Sequence, residues 1–433
     1  MAEKINLDVK HSIGDIANVI SAYQSKIDSI IEKINDRSIE GSEYLDFLDL
    51  QNEGTADLKE INKTAKKIQN DCEVLLVIAP YSISIQTKAV LDFMYGLNYK
   101  NLHQEMEIIF VDHFLSGREI QSVTEYLETK NFAIHAISKS GDDLDVISNL
   151  KIFTSFLEQK LGSKTAAKYI YITTDANNGY LMELARDNLY IQFVFPDQIH
   201  EAYSLLTSAS LLSLSCAGVD INKIVSGAKK GFELYTKNKL RDNTAYLYAV
   251  VRNALELHKM NHEIFVVNEE SLSNISNYWK FLFSQSTTNN QNALILDIAT
   301  YPKEISTKLQ YIQTNIKNAF QTFLSIEQRD IDFQAVSSYN EDEEQLMISS
   351  LTQNKLLEFS SAALIKTNFE LGKIRYNHIT LADDKEDTVG YLISFLQNAS
   401  VMSAYLNKQN PFTSDTYNIF KIQLLNKIKE VNK

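Results

Sequence analysis

The run VLLVIAPYSISIQTKAVLDFM, from Val74 to Met94, sets the expected architecture of this chain. It begins with unbroken apolar residues, which is typical of a strand buried on both faces, and a helical pattern follows after a short turn. A buried strand that leads at once into a helix is the first part of a βαβ unit, whose two strands run parallel. The run therefore predicts a parallel sheet with helices packed on its faces.

The same strand-then-helix pattern recurs along the chain. The β-rich segments are EVLLVIA, EIIFVD, FAIHAIS, KYIYITT and YIQFVF in the first half, and EIFVVNE, ALILDIA, DIDFQA and HITLA in the second. A mainly helical stretch from about residue 203 to residue 259 separates the two series. Strands that alternate with helices in this way predict two doubly wound α/β domains, with parallel sheets flanked by helices.

Helical periodicity also marks both ends of the chain. Residues 11–34 carry apolar side chains at helical spacing and predict a long amphipathic helix, and two more helices are predicted at 385–406 and 414–431. We therefore divide the chain into an N-terminal helical arm (1–50), a first domain (51–215), a second domain (216–405) and a C-terminal helix (406–433).

The composition excludes several classes of protein. The 433 residues carry a formal net charge of −13 at pH 7, which disfavours nucleic acid and anionic membranes as partners, because both are bound through Lys and Arg. No apolar run is long enough to span a membrane, and the N-terminus lacks the apolar segment of a secretory signal, so we expect a cytoplasmic protein. The two cysteines, Cys72 and Cys216, lie in apolar segments, which is typical of buried thiols. No cofactor and no metal site is predicted.

Ligands of doubly wound sheets bind beyond the carboxyl ends of the strands, so the loops at those ends are the candidates for a site. In the loop SKSGDD, the residues Ser138, Lys139, Ser140 and Gly141 supply two hydroxyls, a cation and a turn before a helix N-terminus. Such a loop resembles a phosphate cradle. The alternative is that its serines and glycine serve only as a structural cap of the helix.

Five segments resemble those of bacterial phosphoglucose isomerases in their order and spacing. They are FAIHAISKSG, NTAYLYAVVRNAL, YWKFLFSQS, LQYIQ, and NPF with Lys421 nine residues after it. The resemblance extends from about Gly41 to Lys421. It implies two sugar-isomerase (SIS) domains and a dimer whose subunits complete each other's active sites. It also implies descent from enzymes that interconvert glucose 6-phosphate and fructose 6-phosphate.

The chemistry of this family requires a carboxylate base and a cation, because the reaction passes through an enediol with negative charge on oxygen. The resemblance places Thr314 of LQYIQTN where the family has its glutamate base, and Ala202 of HEAYS where the family has an arginine. The family histidine is expected near IKTNFEL, but no histidine lies between His262 and His378, so its position in this chain is open. Lys421 persists, although a lysine on a terminal helix is typically exposed and idle.

The loops that hold phosphate in the family are altered as well. No glycine lies between Val74 and Met94, and Pro80 and Tyr81 stand where the family has a glycine-rich turn. Asp142 and Asp143 stand where the family has two threonines. Each carboxylate would repel a phosphate charge 4 Å away by roughly 1 kcal/mol in water. The alternative is that both are ordinary acidic caps at a helix N-terminus.

These losses predict a noncatalytic member of the family, degenerate at Ala202 and Thr314 and retained as a structural or scaffolding subunit of a larger protein assembly. Two alternatives stay open: a regulatory module whose altered cleft binds another small molecule, and a strongly diverged glucose-6-phosphate isomerase of glycolysis. The expected partners are a second copy of the chain, in a homodimer, and other proteins of the assembly. The helix at residues 11–34 is the predicted contact, unless its apolar face packs on the chain's own core.

Overall fold

The computed structural model describes residues 4–49, 57–97, 105–285, 294–316, 318–337, 340–413 and 415–431. The strands are β1 (Ile5–Asp8), β2 (Val74–Ile78), β3 (Glu107–Val111), β4 (Phe132–Ile137), β5 (Ile170–Thr174), β6 (Ile191–Val194), β7 (His262–Val267), β8 (Ile295–Thr300), β9 (Ala319–Gln328) and β10 (Arg375–Asp383). The helices of the first half are α1 (Ile16–Asn35), α2 (Leu58–Asp71), α3 (Tyr81–Tyr95), α4 (Gly117–Glu128), α5 (Leu144–Leu161), α6 (Ser163–Ala166), α7 (Tyr180–Asn188) and α8 (Ser208–Cys216). Those of the second half are α9 (Ile221–Tyr235), α10 (Thr244–Leu257), α11 (Ser273–Gln285), α12 (Gln310–Asn315), α13 (Glu343–Ser349), α14 (Gln353–Glu370), α15 (Glu386–Leu406) and α16 (Asp415–Val431).

The strands form two five-stranded sheets. The first sheet has the order β3-β2-β4-β5-β6, and all its strands are parallel. The second has the order β1-β10-β9-β7-β8 and is parallel except for β1, which pairs antiparallel with β10. The predicted α/β fold with parallel sheets flanked by helices is confirmed. The domain boundaries within it stay a prediction.

Two features of the second sheet differ from the sequence prediction. DIDFQA is not a strand, and its apolar residues Ile331 and Phe333 are 71% and 72% exposed. The strand of this region is β9, whose apolar pattern is interrupted by Gln321 and Thr322. These two polar side chains are buried because Gln321 accepts a hydrogen bond from Asn368 and Thr322 donates one to Glu263. The strand β1 lies within the segment predicted as a helical arm. It was not predicted because its four residues are too few to show the alternating polar and apolar pattern of a strand.

The N-terminal helix α1 packs on the chain's own core. Ile27, Ile30, Ile31 and Ile34 are buried in a hydrophobic cluster that also contains residues of both sheets. Its half-buried Tyr23 donates a hydrogen bond from the phenol to Asn253 Oδ1 at 2.8 Å. The apolar face of this helix therefore packs on the chain's own core, which was the alternative to a contact with another protein.

Two smaller predictions are also tested by the fold. Cys72 and Cys216 are both buried and free, as predicted. Within the described ranges, no helix has the length and apolar character needed to cross a membrane.

Candidate active site

The first sheet has a point at which its loops diverge. β3 and β4 lie on opposite sides of β2, so the chain leaves β2 in one direction and returns to the other side of it for β4. The loops after β2 and β4 therefore separate and leave a crevice at the carboxyl ends of the strands, where ligands of such sheets bind. This crevice is the place to look for functional side chains.

The loop after β2 is short and has little free backbone. Pro80 precedes the first residue of α3 and supplies no N–H, so the loop has one backbone donor fewer for an anion than a glycine-rich turn has. Tyr81 is 45% exposed, and its ring meets Phe281 of α11 edge to face at 6.2 Å between centroids. The loop thus offers side chains rather than backbone donors, and Ser82 is the polar one among them.

The loop after β4 contains the predicted phosphate residues. Gly141 has a φ of +77°, and a Cβ added to it would lie 3.1 Å from both Gly179 Cα and Thr174 Oγ1, so only glycine suits this turn. Ser138 Oγ accepts a hydrogen bond from Gly141 N at 3.0 Å, and Ser140 Oγ accepts one from Asp142 N at 3.2 Å. The serines therefore shape the turn, and whether the loop also binds phosphate stays a prediction.

The lysine of this loop points to backbone oxygens. Lys139 Nζ donates to the carbonyl oxygens of Asp197 at 2.8 Å and Ile199 at 2.7 Å, and it lies 4.6 Å from the ring centroid of Tyr44. Burial lowers the pKa of Lys139, although three nearby acids oppose this effect. Through these hydrogen bonds Lys139 links the loop after β4 to the loop after β6. Its positive charge remains close to the crevice.

The two aspartates of the loop have different roles. Asp142 Oδ1 accepts a hydrogen bond from Tyr180 N, the first residue of α7, at 3.0 Å, so this residue does cap a helix. Asp143 makes no capping bond with its own helix α5. Its carboxylate instead accepts from Ser138 Oγ at 2.7 Å and from Lys421 Nζ at 2.6 Å, and its side chain is 3% exposed.

Lys421 belongs to this cluster. Its side chain is 40% exposed, and α16 carries it across to the buried carboxylate of Asp143. Burial would lower the pKa of Lys421, but the hydrogen bond with Asp143 and the charge of that residue outweigh it, so the pKa is raised. The expectation that this lysine is idle is wrong, because it is the counter-ion of Asp143.

Glu201 is a site residue that the sequence reasoning missed. It follows β6 in a helical turn, Glu201–Tyr203, and its Oε2 accepts a hydrogen bond from Ser82 Oγ at 2.9 Å. Gln86 Nε2 donates a hydrogen bond to the carbonyl oxygen of Glu201 at 2.7 Å. Burial, and next the charge of Asp143, raise the pKa of Glu201, whereas the charges of Lys421 and Lys139 lower it less. A carboxyl group with a raised pKa is suited to take and return a proton.

His200, the neighbour of Glu201, is held among aromatic rings. Its ring centroid is 5.6 Å from that of Tyr44 and 5.6 Å from that of Phe412. Its Nδ1 accepts a hydrogen bond from Ala202 N at 3.3 Å. Burial, and then the charge of Lys139, lower the pKa of His200 to about 4. The imidazole is therefore neutral at pH 7.

The two positions predicted to be degenerate are placed differently: Ala202 follows Glu201 in the turn Glu201–Tyr203, whereas Thr314 lies on α12. Ala202 is fully buried, and its carbonyl oxygen accepts a hydrogen bond from Tyr278 Oη at 2.9 Å, so a side chain there faces the interior. Thr314 is exposed on α12, and its hydroxyl donates to Gln310 O at 2.7 Å. The neighbouring Ile312 packs in the core of the second sheet. Among the described residues no hydrogen bond or ion pair joins Thr314 to Glu201.

The arrangement has the elements of acid–base chemistry. The carboxyl group of Glu201 has a raised pKa, and it interacts electrostatically with the ammonium group of Lys421. Both lie where the loops of a parallel sheet diverge. Among the described residues, no group of three or more His, Cys, Asp or Glu side chains is placed to hold a metal ion. The described groups thus suit a proton transfer with a cation beside the reacting oxygen.

Sequence comparison finds relatives along the whole chain, although no family model matches it. The glucose-6-phosphate isomerase of Mycoplasmopsis pulmonis (strain UAB CTIP) is 33% identical over 426 residues, which cover 97% of this chain and 98% of that protein. The glucose-6-phosphate isomerase of Mycoplasma mobile is 30% identical over 429 residues, 98% of each. That of Clostridioides difficile (strain 630) is 30% identical over 433 residues, 96% of this chain and 94% of that protein.

Comparison with solved structures agrees on the fold. A hypothetical protein from Thermus thermophilus superposes with a TM-score of 0.86 at 19% identity, covering 98% of this chain and 99% of that one. A glucose-6-phosphate isomerase from Chlamydia trachomatis superposes with a TM-score of 0.82 at 13% identity, covering 100% of this chain and 90% of that one. At these identities the likeness shows a common fold.

The relatives correct the functional prediction. A noncatalytic scaffolding subunit was predicted, but relatives that are about 30% identical over nearly the whole chain are named as the enzyme. The scaffolding prediction is therefore wrong, and the alternative of a strongly diverged isomerase is favoured. With 33% identity over 97% of its length, the chain belongs to the glucose-6-phosphate isomerase family.

Proposed function

We propose that this chain interconverts glucose 6-phosphate and fructose 6-phosphate as a strongly diverged isomerase. The observation that carries the proposal is the 33% identity with the isomerase of M. pulmonis over 97% of this chain. The cluster at the carboxyl ends of β2 and β4 supports it, because a carboxyl group, a lysine and a polar loop lie together there. Ala202 and Thr314 stand where the family pattern has its arginine and glutamate, so the reaction in this chain uses other side chains.

Glu201 is the proposed general base. The isomerisation moves a proton between adjacent carbons, and one carboxylate that accepts it and returns it serves both directions. Ser82 Oγ holds Oε2 of Glu201 at 2.9 Å, which leaves Oε1 for the proton. Burial and the nearby charge of Asp143 raise the pKa of Glu201 and so bring its basicity closer to neutral pH.

Lys421 is the proposed cation. The enediol intermediate carries negative charge on oxygen, and an ammonium group in a partly desolvated crevice stabilises that charge. Lys421 has a raised pKa and is therefore positively charged at neutral pH. Its partner Asp143 fixes its position from the loop after β4.

The proposed phosphate seat is the loop Ser138–Gly141 at the N-terminus of α5. The positive end of the helix dipole favours an anion there, and Lys139 adds a positive charge nearby. Asp142 and Asp143 oppose the phosphate, although Lys421 offsets the second of them. We therefore expect this loop to bind the sugar phosphate more weakly than a loop without Asp142 and Asp143 would.

A coupled assay of the purified chain tests this function. We expect turnover in both directions and a loss of about 10²- to 10³-fold in kcat for Lys421→Met, because the charge on the enediol oxygen is then unopposed. The matched control is Lys427→Met, since Lys427 lies on the same helix, is exposed and pairs with Glu430. Wild-type protein without turnover above a mock preparation would refute the proposal, and equal rates for both variants would refute the role of Lys421.

We also infer a homodimer, as in the sequence-based prediction. Helix α16 exposes large apolar side chains, with Phe420 57% and Ile422 56% exposed, and such exposure is typical of a surface that another chain covers. Light scattering should give twice the 49.3 kDa mass of the chain. Phe420→Asp should shift the mass toward that of the monomer, because a charge replaces an apolar contact. A monomeric wild-type chain would contradict the inference.

The cytoplasmic location stays a prediction.

A further inference from the structure

A cavity of about 190 Å³ lies where the N-terminal helix α1 packs on the chain's own core. Its other walls come from α9, α10 and α15, which contribute Phe232, Tyr246 and Asn398. An engineered apolar cavity of about 150 Å³ is large enough to bind benzene, so a molecule with one six-membered ring fits here. Neither Glu201 nor Lys421 lines this cavity, and the isomerase proposal makes no use of it.

Most of the cavity wall is apolar. Ile31 and Ile34 of α1 face Phe232 of α9 across it, and these three side chains belong to the buried hydrophobic core. Leu48, from the helical turn Asp46–Asp49, completes this part of the wall. Small-molecule sites combine such apolar walls with a few placed polar groups, and a ligand gains free energy by burying its own apolar surface there. The wall therefore favours a ligand with an apolar body.

Two polar side chains of the wall each have an oxygen without a partner. Tyr246 is 6% exposed, and its hydroxyl makes no hydrogen bond with a described residue; burial alone raises the pKa of this phenol. Asn398 is 4% exposed, and its Nδ2 donates to Ser394 O at 2.8 Å, whereas its Oδ1 accepts from no described residue. Both oxygens keep accessible surface, in contrast to unpartnered atoms that are sealed in the core, such as Thr174 Oγ1. A ligand in the cavity can therefore reach them.

The charge at the cavity is already paired. Among the described lining residues only Arg37 is charged, and its guanidinium lies 3.1 Å from Asp46 Oδ1. Nη1 of Arg37 also donates to Ser42 O at 3.2 Å. A carboxylate or phosphate that entered the cavity would lose its hydration without meeting an unpaired cation, which is unfavourable. The cavity therefore favours a neutral ligand.

We propose that this cavity is a binding site for a neutral monocyclic phenol or alcohol. Oδ1 of Asn398 can only accept a hydrogen bond, so the ligand has to supply a donor, and a hydroxyl group does so. A hydroxyl group can also accept the hydrogen bond that Tyr246 Oη has available. The ring of the ligand fills the apolar space between α1 and α9. The site does not depend on the isomerase function.

Calorimetry and thermal unfolding of the full chain test the site with three probes that share one ring: phenol, anisole and benzoate, each at up to about 10 mM. We expect phenol to bind and to raise the melting temperature. Anisole has no donor for Asn398 and should bind about three- to tenfold more weakly than phenol. Benzoate carries a charge and should not bind in the cavity.

Four variants place the binding within the molecule. Tyr246→Phe and Asn398→Leu each remove one polar oxygen, and each should weaken the binding of phenol by about three- to tenfold. Leu48→Trp fills the cavity and should weaken it by about tenfold or more. The matched control is Tyr126→Phe, which removes a phenol hydroxyl from the exposed surface of α4, where it donates to Glu107, and should leave the binding unchanged.

Four outcomes would overturn the proposal. The first is a wild-type chain that does not bind phenol. The second is phenol binding that Tyr246→Phe, Asn398→Leu and Leu48→Trp all leave unchanged, because phenol would then bind elsewhere. The third is anisole that binds as tightly as phenol, since the polar oxygens would then select no hydroxyl group. The fourth is benzoate that binds as tightly as phenol and is displaced by it, because the cavity would then accept an anion.

Discussion

Replacement of Glu201 by glutamine is expected to lower kcat for glucose 6-phosphate by about 10²- to 10⁴-fold, because an amide cannot take the proton from the sugar carbon. Glutamine has the same shape, and its oxygen still accepts the hydrogen bond that Ser82 donates at 2.9 Å. The KM should therefore change little, since the site keeps its form. Steady-state kinetics of both proteins in the coupled assay separate kcat from KM.

The pH dependence gives a second readout of the same residue. Burial raises the pKa of Glu201, and only the deprotonated carboxylate acts as a base, so the wild-type rate should fall as the pH is lowered through that raised pKa. The matched control is Glu183→Gln, which removes an exposed carboxylate of α7. If Glu201→Gln keeps the wild-type kcat and pH profile, the base is a different residue.

The second large effect concerns stability. Replacement of Glu263 by alanine is expected to lower the free energy of unfolding by about 3 to 5 kcal/mol, because it leaves the buried guanidinium of Arg252 without its counter-ion. Arg252 Nε lies 2.5 Å from Glu263 Oε2, and these side chains are 1% and 0% exposed. Tyr248 Oη and Thr322 Oγ1 also donate to this carboxylate, each at 2.7 Å. Urea unfolding measures the change.

A double variant separates the isolated charge from the lost contact. Arg252→Met combined with Glu263→Leu removes both charges and keeps apolar volume, so it should be more stable than Glu263→Ala alone. Coincident unfolding curves by fluorescence and circular dichroism would justify a two-state analysis. A loss below about 1 kcal/mol for Glu263→Ala would show that the pair contributes no more than an exposed one.

Much of the first sheet was predictable from the sequence, because its central strands β2, β4 and β5 are buried on both faces and are largely apolar. β2 and β4 have every residue buried. β9 was missed because its Gln321 and Thr322 are satisfied by Asn368 and Glu263, which are distant in sequence. The polar partner of a buried strand residue cannot be inferred from a local pattern. The run DIDFQA therefore matched a strand pattern better than the true strand β9 did.

The same limit explains the error about function. The loop Ser138–Gly141 and Lys421 were identified from motif spacing. Glu201 was not identified, because it bonds with Ser82, 119 positions earlier in the chain. Counting the family side chains that are absent predicted an inactive protein, whereas the fold brings other ionisable side chains into the same crevice.

The most direct test of the central claim is to incubate the purified chain with glucose 6-phosphate in deuterium oxide and to follow the sugar by proton NMR. Abstraction of the C2 proton by Glu201 predicts that fructose 6-phosphate forms and that deuterium enters the sugar at the exchanging carbon, and that Glu201→Gln abolishes both changes. Unchanged glucose 6-phosphate after prolonged incubation with the folded wild-type protein would contradict the account.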